Sequence, residues 1–502
     1  TLEITKDHRA KPDKIVALLE KFPAFYEKYM DQHLKFSKLF VNLDALVKVY
    51  GLGVSPNNNV AVGKNGFYFE GWGARKVEKG IVERFDNIAD YMGQVPFTED
   101  ELQQWKRTLE ERKYWLKERG INYVFVLAPT KALVYQEFLP SSLQRAANGG
   151  GTTRYEQLTD YLQNETDINF VDLLPPLLEA KSQREYPLLF DTTVVHWNFY
   201  GAFIAYQAII EALKVFYPHY NLQTPLFSNF NLSIDENWAH HRFMNMVGLP
   251  SALHKNEHYI TMVPKEGGGW DSAQDLPAGG IYDVYPAKRT LTAENGKTME
   301  ISLIRNPDAP IPSILLLGDS FFEKLVYFFS RDGKRVMNFR TIVNFPDTIF
   351  EFDRPTLVIQ EILNMFILRE PPKNPPGFKP SYLRGKFGDG HQTFKSEEED
   401  FRKTERGVEI DIYPTTWQDQ DRIGIARISL DAREAGNIKL MFASDPEKNP
   451  VVRKLMIKKG KNILYLEIPN LKISKVIVSG NDHSAESFKM TSLEMRSEKP
   501  FE

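Results

Sequence analysis

A serine that could act as a nucleophile follows a short apolar run in the second half of the chain. Residues 314–317 are all apolar, Gly318-Asp319-Ser320 comes next, and a helical pattern begins at about Phe322. This order predicts a buried strand, a tight turn and a helix. The hydroxyl would then lie at the carboxyl edge of a sheet, where N–H groups at the helix start can stabilise an oxyanion. The triplet is short, however, and Asp319 and Ser320 equally suit a plain turn and helix cap.

His196 is the candidate general base for this serine. His196-Trp197-Asn198 stands at the start of a long helical pattern. A neutral imidazole can take the serine proton and return it, because its ordinary pKa lies near neutral pH. The alternative interpretation is a structural histidine. Four further histidines lack the spacing of a helix-borne metal site, so no metal is expected at His240, His241, His254 and His258.

The composition excludes several classes of protein. The 502 residues include no cysteine, so the chain has no disulfide framework, cysteine nucleophile or iron–sulfur site. The 63 Lys and Arg nearly balance the 66 Asp and Glu, which argues against wholesale nucleic-acid binding. No apolar run approaches the roughly 18 residues of a membrane-spanning helix. Since the chain begins with Thr1, we expect a mature or truncated product, extracytoplasmic (periplasmic or cell-surface), whose signal peptide or membrane anchor has been removed.

Short apolar runs alternate with helical patterns through residues 60–368. Strands buried on both faces are predicted at 123–128, 168–173, 314–317 and 356–360. Helices are predicted at 98–119, 155–162, 199–216 and 322–329. The alternation predicts an α/β domain with a doubly wound parallel sheet, whose ligands bind beyond the carboxyl ends of the strands. A hairpin is predicted over 60–69, because Asn65-Gly66 supplies the positive φ that a tight turn needs.

Three regions are expected along the chain. Residues 1–368 form the α/β domain, with amphipathic helices at the amino end and a Gly- and Pro-rich insertion at 262–312. Residues 369–380 contain five prolines and predict a stiff linker. Residues 381–502 alternate at period two between turns, which predicts a C-terminal β-sandwich. Its aromatic residues could stack on sugar rings or fill the core; the candidates are Tyr413, Trp417 and Phe442.

Several short stretches together resemble the SGNH-hydrolase-like alginate O-acetyltransferase family, which acts on polysaccharides outside the cytoplasm. The resemblance covers about residues 60–365, and its specificity comes from the order of the stretches. They are VGKNGFYF at 62–69, PFTEDEL at 96–102, APTK at 128–131, YQEFLP at 135–140, HWN at 196–198 with GA at 201–202, and GDSF at 318–321.

The resemblance implies a fold, a reaction and a set of partners. The fold would be a permuted SGNH-hydrolase-like domain in which the histidine precedes the serine, with Ser320 as the nucleophile and His196 as its base. The activity would be O-acetylation of an exopolysaccharide or cell-wall polymer, without a soluble cofactor. A membrane-bound O-acyltransferase would supply the acetyl group, and the sandwich would be a carbohydrate-binding module.

One position departs from the family pattern. Members usually carry an Asp two residues before the histidine, and this chain has Val194 there. Valine cannot accept the second imidazole proton, so the group that fixes the tautomer is missing from its usual place. Asp191 is the nearest carboxylate, but five extended residues span about 16 Å, so it serves only if the chain loops back. The alternatives are another acid, such as Asp172 or Asp353, or no acid at all.

Three functions therefore remain open from the sequence. The first is the polysaccharide O-acetyltransferase. The second is a carbohydrate acetyl esterase, because the same serine chemistry gives hydrolysis when water is the acceptor. The third is a catalytically silent polysaccharide-binding scaffold, which Val194 favours. Basic residues downstream of the serine are candidates for contact with an anionic polymer; they are Arg331, Lys334, Arg335 and Arg340.

Overall fold

The computed structural model divides the chain into two compact units. The first comprises Thr1–Gln103 and Val124–Pro371, and the second comprises Gln104–Tyr123 and Pro372–Glu502. The residues that the structure describes are 37–71, 76–78, 81–83, 86–147, 151–183, 188–235, 242–250, 253, 259–265, 269–270, 273, 288–369, 371–412, 424–443, 450–468, 473–480 and 487–497. The domain bounds predicted from the sequence remain predictions.

A seven-stranded mixed sheet forms the centre of the first unit. Its strands, in chain order, are β5 (Asn122–Ala128), β6 (Phe170–Asp172), β9 (Lys288–Thr292), β10 (Thr298–Arg305), β11 (Ile314–Gly318), β12 (Arg335–Arg340) and β13 (Leu357–Leu363). Their order across the sheet is β6-β5-β13-β11-β12-β10-β9. Three two-stranded pairs complete this unit, namely β1 (Val60–Val62) with β2 (Tyr68–Glu70), β3 (Lys76–Glu78) with β4 (Ile81–Glu83), and β7 (Phe230–Asp235) with β8 (Tyr259–Pro264).

The pairing explains why the predicted strands read as continuous apolar runs. Strand β5 pairs in parallel with β6, and β11 pairs in parallel with both β12 and β13. Every residue of β11 and of β13 is buried, as expected for central strands covered on both faces. The sequence did not predict β9 and β10, which extend the sheet in antiparallel fashion beyond β12. Parallel pairing is therefore confirmed, with an antiparallel extension at one edge.

The described part of the first unit also contains helices. They are α1 (Ser37–Leu46), α2 (Asn87–Tyr91), the start of α3 (Glu99–Lys117), α4 (Lys131–Val134), α5 (Ser141–Ala147), α6 (Arg154–Glu165), α7 (Leu174–Ser182), α8 (Phe199–Leu213), α9 (Arg242–Met246) and α10 (Phe322–Phe329). Helix α10 has the predicted bounds. Helices α8 and α10 pack through aromatic rings, with Phe203 and Tyr206 against Phe328 at centroid distances of 5.7 and 5.4 Å.

The predicted hairpin is present as β1 and β2, which pair antiparallel. Asn65 and Gly66 have φ values of 54° and 79°, the left-handed region that this turn requires. Of the predicted amino-terminal helices, residues 14–36 lie outside the described part of the chain.

The second unit contains two antiparallel sheets. Their strands are β14 (His391–Glu397), β15 (Arg402–Thr404), β16 (Gly407–Asp411), β17 (Gly424–Ala432), β18 (Gly436–Ala443), β19 (Val451–Ile457), β20 (Gly460–Ile468), β21 (Lys475–Gly480) and β22 (Phe488–Ser497). One sheet has the order β14-β22-β17-β20 and the other the order β15-β16-β21-β18-β19. Apolar side chains of both sheets form one hydrophobic core, which is the arrangement of the predicted sandwich.

Helix α11 (Phe378–Asp389) of the second unit begins inside the stretch that the sequence predicts as a stiff linker. Pro380 is the third residue of this helix, where a missing N–H costs no hydrogen bond. Phe442 is fully buried in the sandwich core and is therefore not a sugar-stacking residue. Tyr413 and Trp417 lie outside the described residues, and the carbohydrate-binding role of this unit remains a prediction. Among the described helices, none is long and apolar enough to span a membrane.

Candidate active site

Ser320 lies in the turn between β11 and α10, at the carboxyl edge of the parallel strands. Strand β11 ends at Gly318 and α10 begins at Phe322, so the hydroxyl follows a fully buried strand directly. A Cβ at position 318 would stand 2.1 Å from the Phe322 ring and 2.8 Å from Glu361 Oε2. The residue before Asp319 is therefore glycine because the ring and the carboxyl approach the backbone too closely for any side chain.

His196 meets this serine from a different part of the chain. Its Nε2 lies 2.7 Å from Ser320 Oγ across a separation of 124 residues. The adjacent Trp197 donates a hydrogen bond from Nε1 to the carbonyl of Phe321 at 3.1 Å. Asn198 then caps α8, since its side chain accepts from the amides of the first helical turn. The tryptophan and the cap fix the chain immediately after His196, so the serine and the histidine form a preorganised pair.

The pair has the protonation state that a nucleophile and its base require. Burial, and then the positive charges of Lys324, Arg242, Arg340 and Lys131, lower the pKa of His196 from 6.5 to about 3. The imidazole is thus neutral at neutral pH. For the serine hydroxyl to donate to Nε2, the imidazole must carry its single proton on Nδ1. The arrangement can accept a proton from Ser320, but all four neighbouring charges oppose the imidazolium that results.

The structure does not bring Asp191 to His196. The chain does loop back, because Phe190 and Trp197 form a β-bridge that closes residues 190–197. The charge of Asp191 acts on Lys324, whose pKa it raises against the effect of burial. Within the described part of the chain, the imidazole of His196 hydrogen-bonds only to Ser320, so no carboxylate hydrogen-bonds to Nδ1. A catalytic role for Asp191 remains a prediction.

The two other acids considered from the sequence also have different partners. Asp172 accepts a short hydrogen bond from Tyr155 and a second one from the amide of Leu174 at 2.9 Å. Asp353 pairs with Arg335 at 2.7 Å. Both carboxylates serve local structure, and neither hydrogen-bonds to the imidazole.

A pair of buried carboxyl groups supports the serine turn from below. Asp319 accepts hydrogen bonds from the amides of Phe321 at 2.8 Å and Leu363 at 3.0 Å. Its own amide donates to Glu361 Oε2 at 3.3 Å. Burial raises the pKa of Asp319 to about 6, and burial together with the neighbouring Asp319 raises the pKa of Glu361 well above its ordinary value. The raised pKa favours the protonated form of Glu361, whose Oε2 links the ends of β11 and β13.

The turn also offers a donor for an oxyanion. The amides of Phe321 and Phe322 are both used, on the side chain and the carbonyl of Asp319. The amide of Ser320 donates to no acceptor in the described ranges. It stands one residue before the N-cap of α10, whose positive dipole end favours negative charge. This N–H is available to an oxygen that becomes negative when the serine attacks a carbonyl.

Several residues of the site were not assigned a role from the sequence. Lys131 stood inside the APTK stretch, and a lysine beside an apolar run at the end of a buried strand was the available signal. Nothing local marked Lys324, Arg242 or Glu361, because their importance comes from neighbours that are distant in sequence.

The basic residues proposed for an anionic polymer have separate environments. Arg335 is engaged with Asp353 at 2.7 Å, and Arg331 lies over the Trp270 ring at 5.4 Å. Only Arg340 is both near the imidazole and well exposed, with 66% of its side chain accessible. The four histidines considered as metal ligands lie outside the described residues, and the described part of the chain holds no group of three or more potential metal ligands.

Comparison with known proteins gives one family match. The family model of the SGNH hydrolase-like domain of the acetyltransferase AlgX matches residues 89–226. No curated protein sequence shows significant similarity to the chain.

Solved structures that align with the chain include three of low sequence identity. Bacillus cereus PatB1, in a structure with a sulfonyl adduct, is 14% identical with a TM-score of 0.40, over 62% of this chain and 99% of that chain. The O-acetyltransferase domain of Pseudomonas putida AlgJ is 17% identical with a TM-score of 0.36, over 64% and 98%. Pseudomonas aeruginosa AlgX is 14% identical with a TM-score of 0.31, over 82% and 91%. These values are too low to carry an activity from those proteins to this one.

The family match and the architecture lead to one assignment. The matched segment includes His196 and helix α8, and it adjoins the sheet that carries Ser320. Residues 89–226 therefore match the SGNH hydrolase-like domain of the acetyltransferase AlgX, which confirms the resemblance and the fold class predicted from the sequence.

Proposed function

We propose that the protein is an O-acetyltransferase that moves an acetyl group through Ser320 and His196 onto hydroxyls of an exopolysaccharide or cell-wall polymer. The observation that carries the proposal is the 2.7 Å contact between Ser320 Oγ and His196 Nε2 at the carboxyl edge of the sheet. A serine with an adjacent neutral base is the minimal apparatus of acyl transfer. The family match at residues 89–226 supplies the choice of acetyl as the acyl group.

The first half-reaction acetylates the serine. Ser320 Oγ attacks the carbonyl carbon of an activated acetyl donor, and its proton passes to His196 Nε2. The carbonyl oxygen becomes negative and accepts a hydrogen bond from the backbone N–H of Ser320. When the tetrahedral intermediate collapses, the bond to the leaving group breaks, and the imidazolium gives its proton to that group. The product is an acetyl ester on Ser320 and a neutral His196.

The second half-reaction transfers the acetyl group to a sugar. A polysaccharide hydroxyl gives its proton to Nε2 and attacks the carbonyl carbon of the ester. When the bond to Ser320 Oγ breaks, the imidazolium returns the proton to Oγ, which leaves free serine, neutral His196 and an O-acetylated polymer. Water in the same position would give free acetate, so the esterase differs from the transferase only in its acceptor. The family match favours the sugar.

The donor and the location follow from the family resemblance. We propose that the acetyl group comes from a membrane-bound O-acyltransferase and that the reaction takes place outside the cytoplasm, in the periplasm or at the cell surface. Under this proposal the chain needs no soluble cofactor of its own, because the acetyl group reaches Ser320 already activated.

The test is the mass of the intact protein after brief exposure to an activated acetyl ester such as 4-nitrophenyl acetate. We expect one acetyl adduct on the native protein, mapped to Ser320, and none on Ser320→Ala. Ser330→Ala is the matched control, because Ser330 lies just past the end of α10 and is fully buried. It should be acetylated like the native protein. An unmodified native protein with hydrolysis no faster than Ser320→Ala would instead support the polysaccharide-binding scaffold.

The acceptor is tested separately. The acetylated protein is mixed with candidate polysaccharides, and the acetate released is compared with the acetyl groups found on the glycan. Transfer to the glycan in excess of free acetate is expected. Release of nearly all the label as acetate, with or without glycan, would identify the esterase.

A further inference from the structure

The backbone of the loop that carries His196 is fixed at four consecutive carbonyls. Lys131 Nζ donates to the carbonyl of Asp191 at 2.9 Å, of Thr192 at 2.8 Å and of Val194 at 2.6 Å. Two main-chain hydrogen bonds add to these: the N–H of Tyr68 donates to the carbonyl of Thr192, and the N–H of Phe243 donates to the carbonyl of Thr193, both at 2.9 Å. The segment just before the histidine therefore has little freedom to move.

Lys131 is built into the interior for this task. Its side chain is fully buried, at 0% exposure. An ammonium carries three N–H donors, and three loop carbonyls lie within hydrogen-bond distance. Its Nζ also lies over the rings of Phe69 and Phe243, at 5.6 and 5.3 Å from their centroids. Burying an ammonium group costs free energy unless its N–H groups are hydrogen-bonded in this way, so the position of Lys131 beside the loop is specific.

The loop bears directly on the imidazole because, in the described ranges, no carboxylate hydrogen-bonds to the ring. In a serine triad, an acid on Nδ1 holds the tautomer and the ring orientation. Position 194 is a valine here. The ring is oriented by the backbone from which it projects, by its contact with Ser320 and by the Phe321 ring, whose centroid lies 5.2 Å away.

We propose that Lys131 is a positioning residue of the acyl transfer, whose ammonium ties the carbonyls of residues 191, 192 and 194 and so holds His196 against Ser320 in place of an acid on the imidazole. This inference rests on the proposed function. Lys131 itself does not touch the reacting atoms. It acts through the loop, whereas its charge is one of the four that disfavour the imidazolium.

Lys131→Met tests the proposal, because methionine has similar length and shape but donates no hydrogen bond. We expect the rate of Ser320 acetylation to fall about 100-fold. The matched control is Lys181→Met, since Lys181 also donates to a backbone carbonyl, that of Val134 at 2.6 Å, away from the histidine loop. Its rate should stay within about twofold of the native rate. A native rate in Lys131→Met would overturn the proposal.

A double-mutant cycle separates positioning from a general loss of structure. In a His196→Ala background, a residue that acts only through His196 has no further effect on the residual rate. We expect Lys131→Met to cost nothing there. An equal loss in both backgrounds, matched by a lower melting temperature, would overturn the proposal. If Lys131→Met does not fold, Lys131→Gln replaces it. Its amide keeps two N–H donors without the charge, and an intermediate loss is expected, whereas a native rate would refute the positioning role.

A second readout does not depend on acetylation. Protein labelled with carbon-13 at histidine Cε1 gives an imidazole signal, assigned to His196 by its loss in His196→Ala. In the native background, Ser320→Ala should shift that signal, because the hydroxyl contacts the imidazole. In Lys131→Met, where the contact between His196 Nε2 and Ser320 Oγ is lost, Ser320→Ala should leave the signal unshifted. Persistence of the Ser320-dependent shift would overturn the positioning role. Because this measurement needs no turnover, a native protein that fails to acetylate would refute the proposed function and leave the test of Lys131 intact.

Discussion

Val194→Asp should restore the acid that the family pattern places two residues before the histidine. The structure is suited to the substitution, because Lys131 binds the carbonyl of Val194 and not its side chain, so the loop tether stays in place. Val194 is half-buried and belongs to neither of the first unit's core clusters, so the exchange should leave the packing largely unchanged. Val194→Asn is the matched control, equal in size to Asp but without the charge.

The expected gain follows from the electrostatics of His196. The difference between a pKa of about 3 and the ordinary 6.5 corresponds to about 5 kcal/mol against forming the imidazolium. A carboxylate within about 4–6 Å raises the pKa of such a base by about 1 to 3, because it favours the charged form. That is worth about 1.4 to 4 kcal/mol. If the imidazolium is fully formed in the transition state, acetylation of Ser320 should become about 10- to 1,000-fold faster.

The assay is the burst of 4-nitrophenolate released from 4-nitrophenyl acetate in a stopped-flow instrument, between pH 4 and pH 9. Native His196 stays neutral across nearly all of this range, so its protonation should not limit the rate. In Val194→Asp the raised pKa should bring a loss of rate into the acidic part of the range, together with the higher plateau. Val194→Asn should show neither. Equal rates and equal pH profiles for the two variants would refute the view that a missing charge at Nδ1 limits this site.

Three further predictions concern the serine turn. Gly318→Ala should slow serine acetylation and lower stability in urea unfolding by about 1 to 3 kcal/mol, since the new Cβ meets the Phe322 ring at 2.1 Å; native values for both would contradict the packing argument. Glu361→Gln should gain stability relative to the native protein as pH rises from 5 to 9. Because the pKa of Glu361 is raised in the folded protein, its contribution to the free energy of unfolding is fully present below its ordinary pKa of 4.5 and is lost as pH rises through its folded-state pKa. An equal pH dependence of stability in the two proteins would show that Glu361 does not hold the extra proton beside Asp319. Trp197→Phe should cost about 1 kcal/mol, from the hydrogen bond that the indole donates to the turn, and should slow acetylation; an unchanged rate would show that this link does not align the site.

Local signals were enough to predict the elements that present the nucleophile. The apolar run of β11, the Gly-Asp-Ser turn and the start of α10 are contiguous, so each follows from near neighbours in the chain. The same holds for the hairpin at Asn65-Gly66, where one dipeptide determines the turn. The histidine was found because a short motif at a helix start marks it without reference to any distant residue.

Local sequence signals did not predict structural features that depend on contacts between residues far apart in the chain. Residues 104–123 join the second unit, although they lie between elements of the first. Strands β9 and β10 extend the sheet in antiparallel fashion beyond β12, and no local pattern of residues predicted them. Pairing at a sheet edge depends on which strand of the folded sheet still has free backbone N–H and C=O groups. Helix α11 begins within a proline-rich stretch, since the constraint on proline depends on its position within the helix.

The sequence by itself identified Ser320 and His196 as candidates and showed that position 194 carries no acid, because residue type and spacing are local facts. Only the tertiary structure decided that these two side chains meet and which charged groups lie around them. Spacing cannot show which of several nearby charges reaches a side chain, and the fold directs Asp191 to Lys324 while it directs Lys131 to the backbone before His196. Contacts between α4, the histidine loop and the turn before α10 join residues from three separated segments. Their geometry exists only once the sheet has brought the segments together.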